Sequence, residues 1–406
     1  PPLSLYIHIP WCVEKCPYCD FNSHKIQGSI PEQAYISRLL DDLSADLGGV
    51  QGRAIQSIFI GGGTPSVITA EGIQRLLDGV RKRLTLASDC EITLEANPGD
   101  FTDEKLQRYR ELGVNRLSIG VQSLDDRLLG VLGRRHSAMD AIQAYQMAQH
   151  AGFDNVNIDL MYGIPYQSLD DWEQTLTKAA VLEPQHVSMY CLTLESGTPM
   201  ERCVRSGKMP DPDPDMAADM YLMAQETMQS GGYRHYEIST WGRPGKESRH
   251  NLTYWRNQSY LGVGPGAHSY LAGHRFYNLK SPKEYVRRLE VQAPSHSTSS
   301  GQCLGLPLDA GEGKGPWARI PVVETVEAID RRLEIAETLM LGLRLEEGVE
   351  IEAFVRRFGE SPGDVYGDTL GELGSAGLLE TMNGSVRLTG RGRLLGNEVF
   401  SRFFEP

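Results

Sequence analysis

Short β-branched strand patterns alternate with amphipathic helical patterns through the first half of the chain. The predicted strands are Leu3–Ile9, Ile55–Ile60, Glu91–Glu95, Arg116–Ile119, Val156–Met161 and His186–Leu192. The predicted helices between them are Pro31–Leu47, Thr69–Leu86, Thr102–Leu112, Ala138–His150 and Leu169–Leu182. Successive units of this kind predict an α/β fold built on a parallel sheet with right-handed crossovers.

Two sheet architectures fit this alternation: an open doubly wound sheet and a curved partial barrel. Chemically distinctive residues follow the ends of almost every predicted strand, at Cys12, Gly61–Pro65, Glu95–Pro98, Gln122 and Asp159–Pro165. Functional residues supplied by many strand ends are typical of a barrel, whereas a doubly wound sheet uses mainly its switch-point loops. The sequence therefore favours a partial (β/α)6 barrel of the TIM type.

Composition and pattern divide the chain into three parts. Residues 1–289 are predicted to form the barrel and its extension. Residues 290–323 are rich in Ser, Gly and Pro and lack periodicity, so we expect an insertion or linker there. Residues 324–406 are predicted to form a winged-helix-like C-terminal domain with the elements Ala328–Leu341, Ile351–Phe358, Val365–Ala376 and a hairpin, Leu378–Leu388, across Asn383-Gly384.

The charge balance limits the partners of the chain. Its 40 Lys and Arg residues against 53 Asp and Glu residues give a net charge of −13, and nucleic acids attract proteins of the opposite sign. We therefore expect no nucleic-acid partner. A winged helix binds DNA in some proteins, but here a structural or docking role is favoured.

Composition and cysteine placement point to a globular protein of the cytoplasm. Hydrophobic residues make up 40% and charged residues 23% of the chain, and the sequence contains neither a membrane-length apolar run nor a secretory signal pattern. Three of the seven cysteines lie within eight residues, and the others are scattered. A secreted disulfide framework would be smaller and denser in cysteine, so the sequence predicts a reducing compartment and one thiolate cluster.

Cys12-Val13-Glu14-Lys15-Cys16-Pro17-Tyr18-Cys19 has the spacing C-x3-C-x2-C and follows the first predicted strand. Three thiolates on one loop can hold three irons of a [4Fe–4S] cluster and leave the fourth iron open for another chelator. The alternative is structural zinc with His8 as fourth ligand, but zinc usually binds paired cysteines closed by a second pair, which is absent here. The spacing favours the cluster, with His8 behind it.

This three-cysteine loop resembles that of the radical S-adenosylmethionine (SAM) superfamily. The resemblance implies a partial (β/α)6 barrel, a [4Fe–4S] cluster on Cys12, Cys16 and Cys19, and SAM bound to the open iron through its amino acid end. Gly61–Pro65 is weak evidence alone, since glycines serve turns as well as ligands, but it resembles the superfamily stretch that receives the SAM amino group. Carried over by position, the SAM-pocket candidates are Tyr6, Tyr18, Gly62, Gly63, Thr64, Glu95, Gln122, Arg134 and Asp159.

Within the superfamily, the chain resembles the HemN/HemW branch. The matching motifs are Tyr6-x-His8-x-Pro10-x-Cys12, GGGTP, LEANP, GVQS, NIDLMYGIP and Leu388-Thr389-x-x-Gly392-Arg393. The dehydrogenase members carry a further cysteine two residues after the third ligand, where this chain has Phe21. The chain also contains His250-Asn251-Leu252-Thr253-Tyr254-Trp255, which resembles the HNxxYW motif of the heme-chaperone members.

These two features favour a heme chaperone that binds heme, a [4Fe–4S] cluster and SAM and transfers heme to an acceptor hemoprotein, membrane-associated acceptors included. Neutral imidazole is a natural heme ligand, so His250 is the candidate for heme iron; otherwise it caps a turn while Trp255 packs in the core. The alternative function is a radical SAM oxidoreductase acting on a porphyrin, similar to coproporphyrinogen III dehydrogenase. A winged-helix regulator that senses iron–sulfur status has weaker support, and no catalytic residue is assigned.

Overall fold

The computed structural model describes residues 3–45, 50, 52–292 and 316–404. The strands, in chain order, are β1 Leu3–Ile9, β2 Trp11–Cys12, β3 His24–Lys25, β4 Ile55–Gly62, β5 Leu86–Ala96, β6 Arg116–Gln122, β7 Val156–Tyr162, β8 His186–Cys191, β9 Arg234–Glu237, β10 Thr240–Gly242, β11 Tyr260–Val263, β12 His268–Leu271, β13 His274–Asn278, β14 Val323–Ala328, β15 Val349–Glu350, β16 Leu379–Met382 and β17 Ser385–Leu388.

The helices complete the alternation. They are α1 Glu32–Ala45, α2 Ala70–Arg83, α3 Asp103–Glu111, α4 Asp126–Val131, α5 Ala138–His150, α6 Leu169–Leu182, α7 Pro199–Arg205, α8 Pro214–Ser230, α9 Arg249–Trp255, α10 Pro282–Gln292, α11 Arg331–Gly342, α12 Ile351–Phe358, α13 Pro362–Ser375, α14 Gly390–Leu394 and α15 Gly396–Ser401. In the described ranges, none of them combines the length and the apolar character that a membrane crossing needs.

The main sheet of the described residues has twelve strands in the order β14-β13-β12-β11-β1-β4-β5-β6-β7-β8-β10-β9. Strands β1, β4, β5, β6, β7 and β8 are parallel and neighbour each other in chain order. A doubly wound sheet would reverse its order at a switch point, whereas these six strands follow one another in a single direction across the sheet. The predicted partial barrel is therefore confirmed.

Antiparallel strands extend both edges of the parallel sheet, and sequence patterns did not predict them. β11 pairs in parallel with β1 and then leads into the antiparallel strands β12, β13 and β14. At the other edge, β10 and β9 add antiparallel pairs to β8. These additions continue the sheet past the six predicted units and supply surfaces that a minimal barrel lacks.

Side-chain caps start the barrel helices close to their predicted positions. The hydroxyls of Thr69, Thr102, Ser137 and Ser168 accept backbone amides in the first turns of α2, α3, α5 and α6. Among these four helices the largest boundary difference is at the end of α2, which stops at Arg83 because Leu84 takes an extended conformation (φ −128°, ψ 143°). Leu86, predicted as the end of that helix, begins β5.

The C-terminal part packs around a second hydrophobic core. The predicted boundary at residue 324 falls inside β14, which pairs with β13 of the main sheet. Within the predicted linker 290–323, Trp317 and Val322 are buried in the main core, while residues 293–315, with Cys303, lie outside the described residues. Helices α11, α12 and α13 and the small sheet β15-β17-β16 enclose a second core. Its predicted hairpin turns at Asn383-Gly384, both with positive φ.

Candidate functional site

The loop between β2 and β3 carries the three clustered cysteines and is tied at both ends. β2 and β3 pair in parallel, and the amide of Ile26 donates to the carbonyl of Cys12 at 2.9 Å. Inside the loop, the amide of Cys19 donates to the carbonyl of Cys16 at 3.1 Å. Lys15 Nζ donates to the carbonyls of Phe21 and Ser23 at 2.9 and 3.0 Å. Backbone hydrogen bonds and the side chain of Lys15 therefore hold the loop together.

One cavity, called the cysteine cavity below, is lined by all three of these cysteines. Most of the predicted SAM residues line it as well: Tyr18, Gly62, Gly63, Thr64, Glu95, Gln122, Arg134 and Asp159. They come from the cysteine loop, from β4 to β7 and from the segment after α4. These segments meet at the carboxyl ends of the parallel strands. The structure thus brings together residues that are up to about 150 positions apart in sequence.

Gly62 and Gly63 pack directly against the start of the cysteine loop. The amide of Gly63 donates to the carbonyl of Ile9 at 2.7 Å. A Cβ atom on Gly62, which has φ +117°, would lie 2.6 Å from the ring of His8. A Cβ atom on Gly63 would lie 2.7 Å from the carbonyl oxygen of Trp11. Only glycine permits this approach, so the glycine run positions the loop as well as lining the cavity.

Each of the three sulfur atoms lies beside a hydrogen-bond donor. Thr64 Oγ1 donates to Cys12 Sγ at 3.3 Å, and Arg134 Nη1 donates to Cys16 Sγ at 3.5 Å. Ser23 Oγ lies 3.8 Å from Cys19 Sγ. Burial raises the pKa of the Cys12 and Cys19 thiols, so metal binding would release protons there. Three sulfur ligands with such donors fit an iron–sulfur cluster.

His8 lies behind the loop and does not offer a fourth ligand. Its Nε2 is hydrogen-bonded to the carbonyl of Asn22 at 2.8 Å, and its Nδ1 to the hydroxyl of Tyr6 at 2.9 Å. Among the described residues, no three His, Cys, Asp or Glu side chains form a site for a single metal ion. This geometry argues against the zinc alternative, because a zinc site needs a free imidazole nitrogen.

Two half-buried carboxyl groups form the acidic wall of the cysteine cavity. Glu95 accepts the amide of Gly62 at 3.0 Å, and burial, with the nearby Asp159 charge, raises the pKa of Glu95 to about 8. Asp159 accepts from Ser118 Oγ at 3.1 Å and Asn157 Nδ2 at 2.8 Å, and burial raises its pKa as well. Carboxyl groups held in this way can accept ribose hydroxyls or face a cation.

Gln122 has a left-handed backbone conformation, and Arg134 has a buried donor atom without a hydrogen-bond partner in the described residues. Gln122 has φ 66° at the end of β6, and left-handed conformations of residues other than glycine cluster at functional sites. Arg134 Nη2 donates to Asn97 Oδ1 at 2.5 Å and to the carbonyl of Gly120 at 2.7 Å. Its Nε is buried without a hydrogen-bond partner in the described residues. Such a donor fits an acceptor atom of a ligand.

Asn97 lines the cysteine cavity and was not singled out from the sequence. Its amide nitrogen donates to Thr64 Oγ1 at 3.0 Å, and its carbonyl oxygen accepts from Arg134. It therefore links the donors of Cys12 and Cys16. The available signal was its place two residues after Glu95 in the LEANP motif.

A larger cavity of about 630 Å³, called the apolar cavity below, adjoins the cysteine cavity. Its walls come from β1, α9, the strands β11 to β13 and α11, with the aromatic residues Tyr254, Trp255, Tyr260 and Tyr270. Phe21, Gly62 and Glu95 line both cavities. The volume is in the range of small-molecule sites, about 300–1,000 Å³. Tyr6 lines this cavity and is absent from the lining of the cysteine cavity, unlike the other SAM candidates.

His250 lies in α9 but does not line either cavity. It is 1% exposed, and hydrogen bonds join its Nδ1 to Ser57 Oγ at 2.9 Å and its Nε2 to the hydroxyl of Tyr254 at 2.7 Å. Burial lowers the pKa of its imidazole to about 3. This geometry argues against the predicted heme ligation, because both ring nitrogens already have partners inside the protein.

Comparison with known proteins gives the family. Residues 6–179 match the radical SAM superfamily, and residues 329–395 match the HemN C-terminal domain. Heme chaperone HemW of Escherichia coli (strain K12) is 47% identical over 270 residues, covering 66% of this chain and 70% of the relative. Heme chaperone HemW of Bacillus subtilis (strain 168) is 36% identical over 402 residues, covering 98% of each chain.

A solved structure agrees with the fold. Coproporphyrinogen III oxidase (HemN) from Escherichia coli, a radical SAM enzyme, superposes with a TM-score of 0.81 at 22% identity, over 99% of this chain and 90% of that one. That identity supports the architecture alone, whereas the full-length sequence relatives define the family. The chain therefore belongs to the radical SAM superfamily and, within it, to the family of the heme chaperone HemW.

Proposed function

We propose that this protein is a heme chaperone that binds heme, a [4Fe–4S] cluster and SAM, and transfers the heme to an acceptor hemoprotein. The observation that carries the proposal is the shared wall between the two cavities, where Phe21, Gly62 and Glu95 contribute to both. A polar cavity with three cysteines beside a large apolar one suits two kinds of ligand in one molecule. Membership in the HemW family supports the same function.

Cys12, Cys16 and Cys19 would hold the cluster, which supplies an iron with an open coordination position when bound. Thr64 and Arg134 donate hydrogen bonds to two of the sulfur atoms, which favours their thiolate forms.

The remaining polar residues of the cysteine cavity would bind SAM. Glu95 and Asp159 offer carboxyl oxygens, Gln122 an amide group and Arg134 the unpaired Nε. Tyr18 and the backbone of Gly62 to Thr64 complete the lining. The chain has no further cysteine at position 21, so we do not assign it a coproporphyrinogen dehydrogenase activity.

The proposed partners are heme and an acceptor hemoprotein, which includes membrane-associated hemoproteins, and the proposed location is the cytoplasm. The cysteines of the described residues, Cys12, Cys16, Cys19, Cys90, Cys191 and Cys203, are all free thiols, as expected in a reducing compartment. The net charge of −13 argues against nucleic acid as the partner.

Anaerobic reconstitution with iron and sulfide, followed by separate additions of hemin and SAM, tests the binding part of this proposal. We expect each ligand to change the absorption spectrum at stoichiometric concentration. Transfer is measured as heme movement to an apo-hemoprotein that is faster than movement to apomyoglobin, which collects spontaneously dissociated heme. Equal rates for all acceptors would contradict a chaperone function.

The same reconstituted sample tests the oxidoreductase alternative. With SAM and a low-potential reductant, we expect coproporphyrinogen III to remain unchanged, because Phe21 stands where the dehydrogenase members have a cysteine. Protoporphyrinogen IX in stoichiometric yield would replace the chaperone proposal with the oxidoreductase.

A further inference from the structure

We infer that heme binds in the apolar cavity with the imidazole of His268 as an axial ligand of its iron. This inference rests on the proposed heme binding and adds the location and the coordinating atom. His268 begins β12 and lies outside the sequence motifs described above. It lines the apolar cavity together with Tyr254 and Trp255 of α9.

The hydrogen bonding of the histidines singles out His268. In the described part of the chain, His8, His24, His136, His186, His235, His250 and His274 each have a ring nitrogen in a hydrogen bond. His150 and His268 do not, and only His268 of these two lines the apolar cavity. A metal ligand needs an imidazole nitrogen that no protein group occupies, and His268 provides one.

The side chain of His268 is exposed, and a neighbouring aromatic ring orients its imidazole. The imidazole stacks on Tyr277 of the paired strand β13, with 5.0 Å between ring centroids and an angle of 27° between the planes. Partial burial, together with the charges of Arg275 and Lys280, lowers the pKa of His268. Neutral imidazole is the form that coordinates iron, and stacking reduces the entropy lost when it binds.

Phe21 gives the cavity an exposed aromatic surface without a packing role. Its side chain is 67% exposed, although it lies at the junction of the two cavities. A single exposed aromatic side chain is common on a protein surface, and the observation that counts here is that Phe21 lines both cavities. A porphyrin has two flat apolar faces, and Phe21 with Tyr254 and Trp255 could cover part of them. This places the porphyrin next to the cysteine cavity.

Cations near His268 match the carboxylates of heme. Heme carries two propionate groups, and the charges of Arg275 and Lys280 both act on His268. Arg275 already pairs with Glu337 at 2.6 Å. The ammonium group of Lys280 forms neither a hydrogen bond nor an ion pair within the described residues. Lys280 does not itself line the apolar cavity, so we assign its free charge to a propionate that extends beyond the cavity wall.

The decisive experiment is a hemin titration of the full-length protein and of His268→Ala, with His150→Ala as the matched control. His150 is exposed at the end of α5 and does not line the apolar cavity. We expect His268→Ala to shift the Soret band and weaken hemin binding about tenfold or more, since removing even groups that support metal ligands costs about 10- to 100-fold. Added imidazole should restore the original band in His268→Ala, whereas a structural role would not be rescued.

The outcomes separate this inference from the proposed function. If the unmodified protein fails to bind hemin, the heme-chaperone proposal fails. If it binds hemin and His268→Ala has the same spectrum and affinity, the assignment of His268 is wrong while heme binding stands. A spectral change in His250→Gln but not in His268→Ala would instead show that α9 rearranges to release His250. Circular dichroism and cluster content check that each variant is folded.

Discussion

The cysteine cavity and the apolar cavity share a wall but are built from different kinds of structure. The cysteine cavity is lined largely by residues in or just after parallel strands, where ligand residues are expected from the topology. The apolar cavity depends on α9, the antiparallel strands β11 to β13 and α11 of the C-terminal part. The comparison teaches that a site at strand ends can be predicted from motifs, whereas a site between later elements depends on their packing.

The largest predicted effect is that of removing one cluster cysteine, which should abolish cluster binding in the cysteine cavity and leave the apolar cavity intact. Cys16→Ala should abolish the broad absorption of the reconstituted cluster, because two remaining thiolates cannot hold a cube that three must bind. The measurement is iron content and the visible spectrum after anaerobic reconstitution.

Cys203→Ala, in α7, is the control and should keep its iron. Cys16→Ala should still bind hemin, because Cys16 does not line the apolar cavity. Retention of about four irons per chain in Cys16→Ala would contradict the cluster assignment.

His250→Ala tests whether His250, in the helix α9 beside the apolar cavity, stabilises the fold rather than binding heme iron. It removes the hydrogen bonds to Ser57 and Tyr254. Ser57 Oγ keeps its hydrogen bond to Ser4 Oγ at 2.7 Å, so the hydroxyl of Tyr254 is the group that loses its partner. At about 1–3 kcal/mol for one unsatisfied group, the free energy of unfolding should fall by that amount. Denaturant unfolding measures this loss, and the spectrum of bound hemin should not change.

His150→Ala, at an exposed site, is the matched control and should alter stability by less than about 0.5 kcal/mol. A stable His250→Ala protein that no longer binds hemin would reverse the roles given to the two histidines.

The pH dependence of SAM binding should distinguish the polar cavity from the apolar one. Because the pKa of Glu95 is raised to about 8, its carboxyl group is mostly protonated at pH 7 and ionised at pH 9. The anion attracts the positive sulfonium, so SAM affinity should rise between pH 7 and 9. Glu95→Gln should lose this rise and bind SAM about tenfold more weakly at pH 9. Isothermal titration at several pH values measures both.

The SAM affinity of the two proteins should converge toward pH 7, because the carboxyl group of Glu95 is then mostly protonated and the amide of the Glu95→Gln variant is uncharged at every pH. Parallel pH curves for the unmodified protein and Glu95→Gln would show that Glu95 does not titrate in the binding process.

Phe21→Ala should produce the smallest effect, on the wall that both cavities share. Loss of one aromatic contact of about 0.5–1.5 kcal/mol corresponds to hemin binding that is weaker by roughly two- to tenfold. Stability should change little, because Phe21 is 67% exposed. Phe404→Ala is the matched control, since Phe404 is 46% exposed and lines neither cavity. Equal hemin affinity in both variants would remove Phe21 from the heme site.

Sequence patterns predicted the six parallel strands closely because β-branched runs and intervening helices repeat along the chain. Cysteine spacing and strand-end polar residues similarly predicted most of the lining of the cysteine cavity. The strands β9 to β14 were missed because segments as short as Thr240–Gly242 carry no alternation that separates them from loops.

The two histidines show where sequence reasoning reached its limit. His250 and Tyr254 are four residues apart in α9, so their side chains face each other. This spacing is as compatible with a hydrogen bond between them, which the structure shows, as with a free metal ligand. His268 reaches the apolar cavity through the pairing of β12 with β13, where it lies opposite Tyr277. No local pattern contains that register, so the sequence alone could not indicate this residue.

The wall that α11 contributes to the apolar cavity makes the affinity of any ligand bound there depend on both the barrel and the C-terminal part. Glu337, Met340 and Leu341 of α11 face the same space as the barrel residues. By thermodynamic linkage, a ligand that contacts both parts strengthens the association between them. A protein that separates the two parts therefore lowers the affinity of the cavity for the ligand by the same factor. An acceptor that binds the C-terminal part more tightly when it has moved from the barrel would therefore draw heme out without touching it.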